Sequence, residues 1–165
     1  MAQVSYRFAT EKDVPVILDL VRQLAEYENA ADRVVATEEL LRESLFENHA
    51  AEVLLAEVDG QSIGFALFFT SFSTWLGRAG IFLEDLFVLP SERGKGYGKG
   101  LLQRLAHIAV ERNCGRLEWN CLDWNQPSID FYLSLGAEKM DSWTTYRLEG
   151  DTLEALVVQL PANLG

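Results

Sequence analysis

Arg93-Gly94-Lys95-Gly96-Tyr97-Gly98 sets glycine at alternate positions between cations and an aromatic, and Gly100 continues the spacing. Where such a run turns a strand into a helix, several backbone N–H groups stand at the positive end of the helix dipole, and an anion fits there. Glycine removes the side chains that would hold a phosphate away and admits the backbone angles of an anion nest. Between positions 91 and 104 four cations, Arg93, Lys95, Lys99 and Arg104, oppose Glu92 alone, a local net of +3 in a chain whose formal charge is −11. The commoner glycine motifs fail on spacing. A P-loop ending at Lys99 requires glycine at position 93 and a hydroxyl residue at position 100, where Arg93 and Gly100 stand. A dinucleotide fingerprint from Gly94 requires glycine at position 99, which is Lys99, and no acidic strand end follows at the ribose distance. A coenzyme with a pyrophosphate but neither geometry remains, beside the plainer reading of a glycine-rich turn with solvated charges.

The elements that must position this loop follow from periodicity. Residues 4–8 alternate as a strand, and Thr10 with Asp13 opens an amphipathic helix to about Tyr27. A polar break over 28–36 offers a substrate-facing loop. Thr37 then caps a second helix with Leu40, Leu41, Leu45 and Phe46 on its apolar side. Residues 52–58 and 62–71 are strands joined at Asp59-Gly60, a pair that favours a tight hairpin. A strand over 80–89 stops at Pro90, and a helix over about 97–112 follows the loop. Residues 116–122 return as a strand, Asn125-Gln126-Pro127-Ser128 opens a short helix that ends near Gly136, and 138–147 is expected as a last long strand. Residues 151–159 fit helix or strand equally. Strands with helices inserted singly predict a mixed α/β layered fold.

At 165 residues, nearly half of them apolar, the chain is expected to form one domain over 1–165. Its acidic balance argues against nucleic acid or an anionic membrane as partner and suits a cationic small molecule. No signal-peptide core or membrane-spanning run occurs, so a cytoplasmic protein is expected. Cys114 and Cys121, His49 and His107 lack metal-ligand spacing, so no metal is expected. Trp75, Trp119, Trp124 and Trp143 are expected as core or interface aromatics, because the basic groove of a single-strand binder is missing.

The pattern Arg93-x-x-Gly96-x-Gly98 after the strand Leu83-Glu84-Asp85-Leu86-Phe87-Val88 resembles the acetyl-CoA motif of the GNAT superfamily of N-acetyltransferases. Within it the chain is similar to the diamine group, the spermidine/spermine and thialysine acetyltransferases, through Leu24-Ala25-x-Tyr27-Glu28, the strand just quoted, and Trp124-Asn125-x-Pro127-Ser128-Ile129-x-Phe131-Tyr132. The resemblance implies a central, mostly antiparallel sheet flanked by helices. It implies main-chain groups of Leu86, Phe87 and Val88 on the pantetheine arm of acetyl-CoA. It further implies Arg93, Gly94, Lys95, Gly96, Tyr97, Gly98 and Lys99 around the pyrophosphate, Asn125 and Ser128 along the coenzyme, and Tyr132 at the thioester sulfur. A homodimer with a shared substrate groove is implied as well, with Tyr27, Glu28 and Glu84 near the acceptor amine. The chain departs from the polyamine enzymes at Trp143 and Thr144, which stand where those enzymes carry an acidic pair, and this points away from spermidine and spermine.

The implied chemistry is direct transfer of acetyl from acetyl-CoA to a primary amine of a small cationic metabolite: a diamine, a polyamine or a lysine-like amino acid. An alkylammonium has a pKa near about 10.4, so freeing its lone pair at neutral pH costs about 4 to 5 kcal/mol and calls for a proton acceptor. Glu84, next to the coenzyme loop, is the candidate base, directly or through a water. Glu84 and Asp85 point to opposite faces of a strand unless a bulge intervenes, so one of them is expected to serve. Tyr132 is the candidate acid for the leaving thiolate, and neither cysteine lies in a nucleophile motif. The rival readings are an enzyme for protein lysines or N-termini and a non-catalytic acyl-CoA sensor.

Overall fold

The computed structural model describes residues 3–158. Its chain divides into a unit that ends at Asn120 and a second that begins at Cys121.

The first unit is a five-stranded sheet in the order β1 (Val4–Phe8), β2 (Glu52–Val58), β3 (Gln61–Ser73), β4 (Arg78–Val88), β5 (Leu117–Trp119). The first four strands are antiparallel neighbours, and β5 lies parallel to β4. Sequence order equals spatial order because β2 and β3 are joined by the expected hairpin: Asp59 and Gly60 both take positive φ, 51° and 77°, as the twist-matched two-residue turn requires. Helices α1 (Val14–Tyr27) and α3 (Tyr97–Glu111) supply the packing layers, and a short α2 (Glu38–Arg42) continues into a π-helical turn, Glu43–Glu47.

The two faces of the sheet follow from strand alternation. Val53, Leu55, Phe65 and Phe87 form one core with Ile17, Leu20 and Leu24 of α1 and with Leu45. Leu54, Ala66 and Phe68 point to the other face. There α3, which touches all five strands, buries Leu101, Leu105 and Ile108. The mostly antiparallel sheet flanked by helices is therefore present as expected.

Helix starts are also local matters. The Asp13 carboxylate accepts from the Thr10 N–H at 2.7 Å at the turn that leads into α1, and Thr37 Oγ1 accepts from the Leu40 N–H at 3.2 Å at the start of α2. Arg7 ties β1 to this corner by bonds of 2.8 to 2.9 Å to Asp13 and Glu57, which hold Asp13 well below the usual carboxylate range, at about 2.

The second unit contains α4 (Gln126–Ser134) and α5 (Gly150–Val158). The ambiguous tail is thus helical to Val158, and Gln159 lies outside the described residues. Three expectations are corrected. Residues 138–147 form no strand; the backbone bond recorded there is a turn, Trp143 N–H to Met140 O at 3.4 Å. Alternation gave that segment an extended preference, but a strand exists only where a neighbour completes its ladder. For the same reason β5 is three residues long rather than spanning 116–122. Trp75, Trp124 and Trp143 are 92%, 58% and 75% exposed, so of the expected core or interface placement the core half fails for these three and the interface half is untouched, because hairpin tips and irregular segments offer no second layer.

Candidate active site

The glycine loop stands where the sequence put it. β4 ends at Val88, the 3-10 turn Pro90–Glu92 follows, and α3 starts at Tyr97. Gly94 has φ 77°, and Gly96, the N-cap, has φ 85°; no heavy atom lies where a Cβ would project from either. Any other residue would be strained at these angles, and the glycines leave open space above the helix start. The first ladder bond runs from the Gly100 N–H to the Gly96 carbonyl at 3.0 Å, so the N–H groups of Tyr97, Gly98 and Lys99 precede the ladder and face outward along the helix axis. This arrangement can hold a di-anion. Lys95, exposed beside it, pairs with Glu92 at 2.8 Å, which raises its pKa.

Gly100 has a different reason to be glycine. A Cβ there would lie 1.9 Å from the hydroxyl oxygen of Tyr6, which donates to the Tyr97 carbonyl at 3.4 Å. Its place in the glycine series belongs to packing, not to phosphate, a correction to the expectation that it clears space for the anion. Burial raises the Tyr6 pKa.

Leu86, Phe87 and Val88 pair with Ala66, Phe65 and Gly64 of β3. On the opposite edge β5 pairs only with Ile81, Phe82 and Leu83. From Glu84 onward, therefore, β4 has no strand on that edge among the described residues, which leaves the edge open to another extended chain except at the Val88 carbonyl, which accepts from the Arg93 Nε–H at 3.1 Å.

The expected bulge question has a definite answer. The β3–β4 register steps from Leu67↔Asp85 to Phe68↔Leu83, leaving Glu84 as the extra residue. Asp85, two residues before Phe87, shares the face of Leu67, Phe65 and α1, while the extra residue lets Leu83 before it, paired with Phe68, face α3. Glu84 is exposed at the bulge and Asp85 is half-buried. Burial first, then the charges of Glu84 and Glu28, push the Asp85 carboxyl up to about 6. Glu28, the C-cap of α1, is itself raised by partial burial. Sequence reasoning placed Glu28 and Glu84 together and set Asp85 aside; the unreadable signal was the bulge.

In this unit Tyr27 closes α1 with its ring under the Arg93 guanidinium, 4.4 Å from carbon to ring centroid. The remaining predicted residues belong to the second unit. There Asn125 caps α4, its side-chain oxygen accepting from the Ser128 N–H at 3.4 Å, with Pro in the first turn, and the rings of Phe131 and Tyr132 pack at 5.5 Å. Among the described residues no group of three or more His, Cys, Asp or Glu side chains is placed to hold a metal ion, and no helix is long and apolar enough to cross a membrane.

The first unit thus brings a glycine turn at the start of α3, a strand end with a vacant edge and the Glu28, Glu84 and Asp85 carboxylates onto neighbouring stretches of chain. Residues 19–137 match the family described as acetyltransferase (GNAT). The bovine thialysine N-epsilon-acetyltransferase is 38% identical, with 94% of this chain and 98% of that protein covered. The L-ornithine N5-acetyltransferase of Arabidopsis thaliana is 31% identical, with 91% and 86% covered. Among solved structures, an integron cassette protein from the mobile metagenome of V. cholerae superimposes with a TM-score of 0.79 at 29% identity, over 93% of this chain and 97% of that one. The chain belongs to the GNAT acetyltransferase family and is an N-acetyltransferase.

Proposed function

We propose that the protein moves an acetyl group from acetyl-CoA to a primary amine of a small cationic metabolite, with lysine-like amino acids ahead of polyamines. The observation that carries this reading is the juxtaposition on β4 of the bulged acid pair Glu84–Asp85 with the loop at Gly94 and Gly96 that opens α3. Backbone N–H groups at the start of α3 and Lys95 hold the pyrophosphate; the vacant edge at Leu86, Phe87 and Val88 takes the pantetheine amides. Asn125 and Ser128 are assigned to the coenzyme by the family motif. Relatives named for thialysine and ornithine acetylation support the amine class, and Trp143 and Thr144, in place of an acidic pair, support the ranking.

The acceptor arrives as an ammonium, and Glu28, Glu84 and Asp85 attract it with Tyr27 alongside. Attraction alone would stabilise the protonated form that cannot attack. A carboxyl raised to about 6 eases the conflict, because a base works best when its pKa approaches the working pH. Glu84, directly or through a water, takes the proton toward Asp85. The freed nitrogen forms a C–N bond at the thioester carbonyl, and a strand N–H near Phe87 meets the oxyanion; collapse breaks the C–S bond, Tyr132, assigned by the family motif, protonates the leaving thiolate, and the surplus proton on the new amide nitrogen passes through water to the Tyr132 phenolate. No acyl-enzyme forms. A homodimer in the cytoplasm belongs to the same reading, supported by Phe72 and Trp75, 63% and 92% exposed near the tip of the β3–β4 hairpin.

The test is CoA release from acetyl-CoA across a panel of thialysine, lysine, ornithine, putrescine, spermidine and a lysine-containing peptide. Turnover highest with the lysine analogues is expected. Release with the peptide alone, or with no amine, would overturn the assignment.

A further inference from the structure

Arg93 heads the glycine run, and its charge invites the reading of a phosphate ligand. Its side chain has protein partners instead. The Nε–H donates to the Val88 carbonyl at 3.1 Å, the guanidinium carbon lies 4.4 Å from the centroid of the Tyr27 ring, and the Phe87 ring is 5.6 Å away. Three segments meet at this one side chain: the C-terminal end of α1, the end of β4, and the start of the loop. The planar, weakly hydrated guanidinium suits a stack on an aromatic face better than an ammonium does. Tyr27 is 41% exposed and Arg93 is exposed, so the stack adds little to the stability of the fold. What it does is fix a geometry.

We infer that Arg93 is a positioning residue that staples the amine-side end of α1 to the coenzyme loop, so that Tyr27, on the acceptor side, governs coenzyme affinity. This rests on the function proposed above, because it takes the loop as the coenzyme's and Tyr27–Glu28 as the amine's. Lys95, whose partner Glu92 is one turn away, has no such link to α1 and serves as the control.

The experiment is calorimetric titration with CoA, no amine present, at several salt concentrations, on the parent protein, Tyr27→Leu, Tyr27→Phe, Arg93→Gln, Tyr27→Leu with Arg93→Gln, and Lys95→Ala. Tyr27→Leu is expected to weaken CoA binding about two- to five-fold, the range a partly exposed cation–π contact gives, and Tyr27→Phe, which keeps the ring face, to restore it. Arg93→Gln is expected to weaken binding to the same extent while keeping the parent's salt dependence, and the double variant to be no worse than either single one. Lys95→Ala is expected to flatten the salt dependence, as loss of a phosphate contact does. Unchanged affinity in Tyr27→Leu, together with a flattened salt dependence in Arg93→Gln, would overturn the staple and make Arg93 a direct phosphate ligand. A parent protein that does not bind CoA would overturn the donor assignment and the staple with it.

Discussion

The glycine loop and the acid pair lie on the same stretch of chain, separated by the end of β4 and a 3-10 turn, yet on the proposed function they recognise charge by opposite means. The loop works with backbone groups and requires only that side chains be missing, as at Gly94 and Gly96. The acid pair would work with side chains and depends on the bulge that leaves Glu84 unpaired next to Asp85 on the α1 face. Backbone recognition depends on local conformation, which glycine spacing announces. Side-chain recognition depends on register with β3, which the residues of β4 alone do not encode.

The largest effects should come from the acid pair. Asp85→Asn is expected to lower kcat/KM by about 10²- to 10⁴-fold, the usual range for loss of a proton acceptor, and to abolish the acid limb of the pH profile near 6. The same change should stabilise the fold at pH 7. Because the folded-state pKa lies above the unfolded value of 3.8, the folded chain binds more protons between about pH 4 and 6, and stability falls as pH rises through that window. Removing the charge recovers up to about 3 kcal/mol at pH 7 and only a small part of that at pH 4, which urea denaturation at the two pH values would measure. Stabilisation with unimpaired turnover would place the base elsewhere. Loss confined to Glu84→Gln would make Glu84 the acceptor by itself.

Gly100 separates packing from binding within one glycine series. Gly100→Ala forces a Cβ against the Tyr6 hydroxyl, and overpacking of this kind costs about 1–3 kcal/mol, seen as a lower urea midpoint. Tyr6→Val in the same chain should return part of the loss. Gly96→Val leaves packing untouched but demands φ of 85° from a β-branched residue. Strain of about 1–2 kcal/mol in the bound loop should raise the KM for acetyl-CoA about tenfold, with the KM for the amine unchanged.

These variants also mark what the sequence made legible. The hairpin at Asp59-Gly60, the α3 start at Gly96 and the Thr37 cap were readable because each is set within a few residues. The role of Gly100 was not, since it depends on Tyr6, ninety-four positions earlier, arriving through β1 on the α3 face. Residues 138–147 looked like a strand because alternation records a preference for extended backbone, while a strand needs a partner the segment does not name. Arg93 shows a third limit. Its charge was read from its type, but its partners Tyr27 and Val88 come from tertiary structure.

The smallest effect sharpens the contrast between the two regions most directly. Lys95 is exposed and paired with Glu92 three residues before it, an arrangement that contributes little to stability because water screens both partners. If Lys95 serves the pyrophosphate, Glu92 competes with the coenzyme for its ammonium. Glu92→Gln should then tighten CoA binding about two-fold at low salt and by less at high salt, whereas Lys95→Ala should weaken it by a similar factor. Neither change should move the urea midpoint, and neither should alter the acid limb set by Asp85. A shifted acid limb in Glu92→Gln would show that the loop's charges reach the acid pair, and the two regions would then have to be treated as one electrostatic unit.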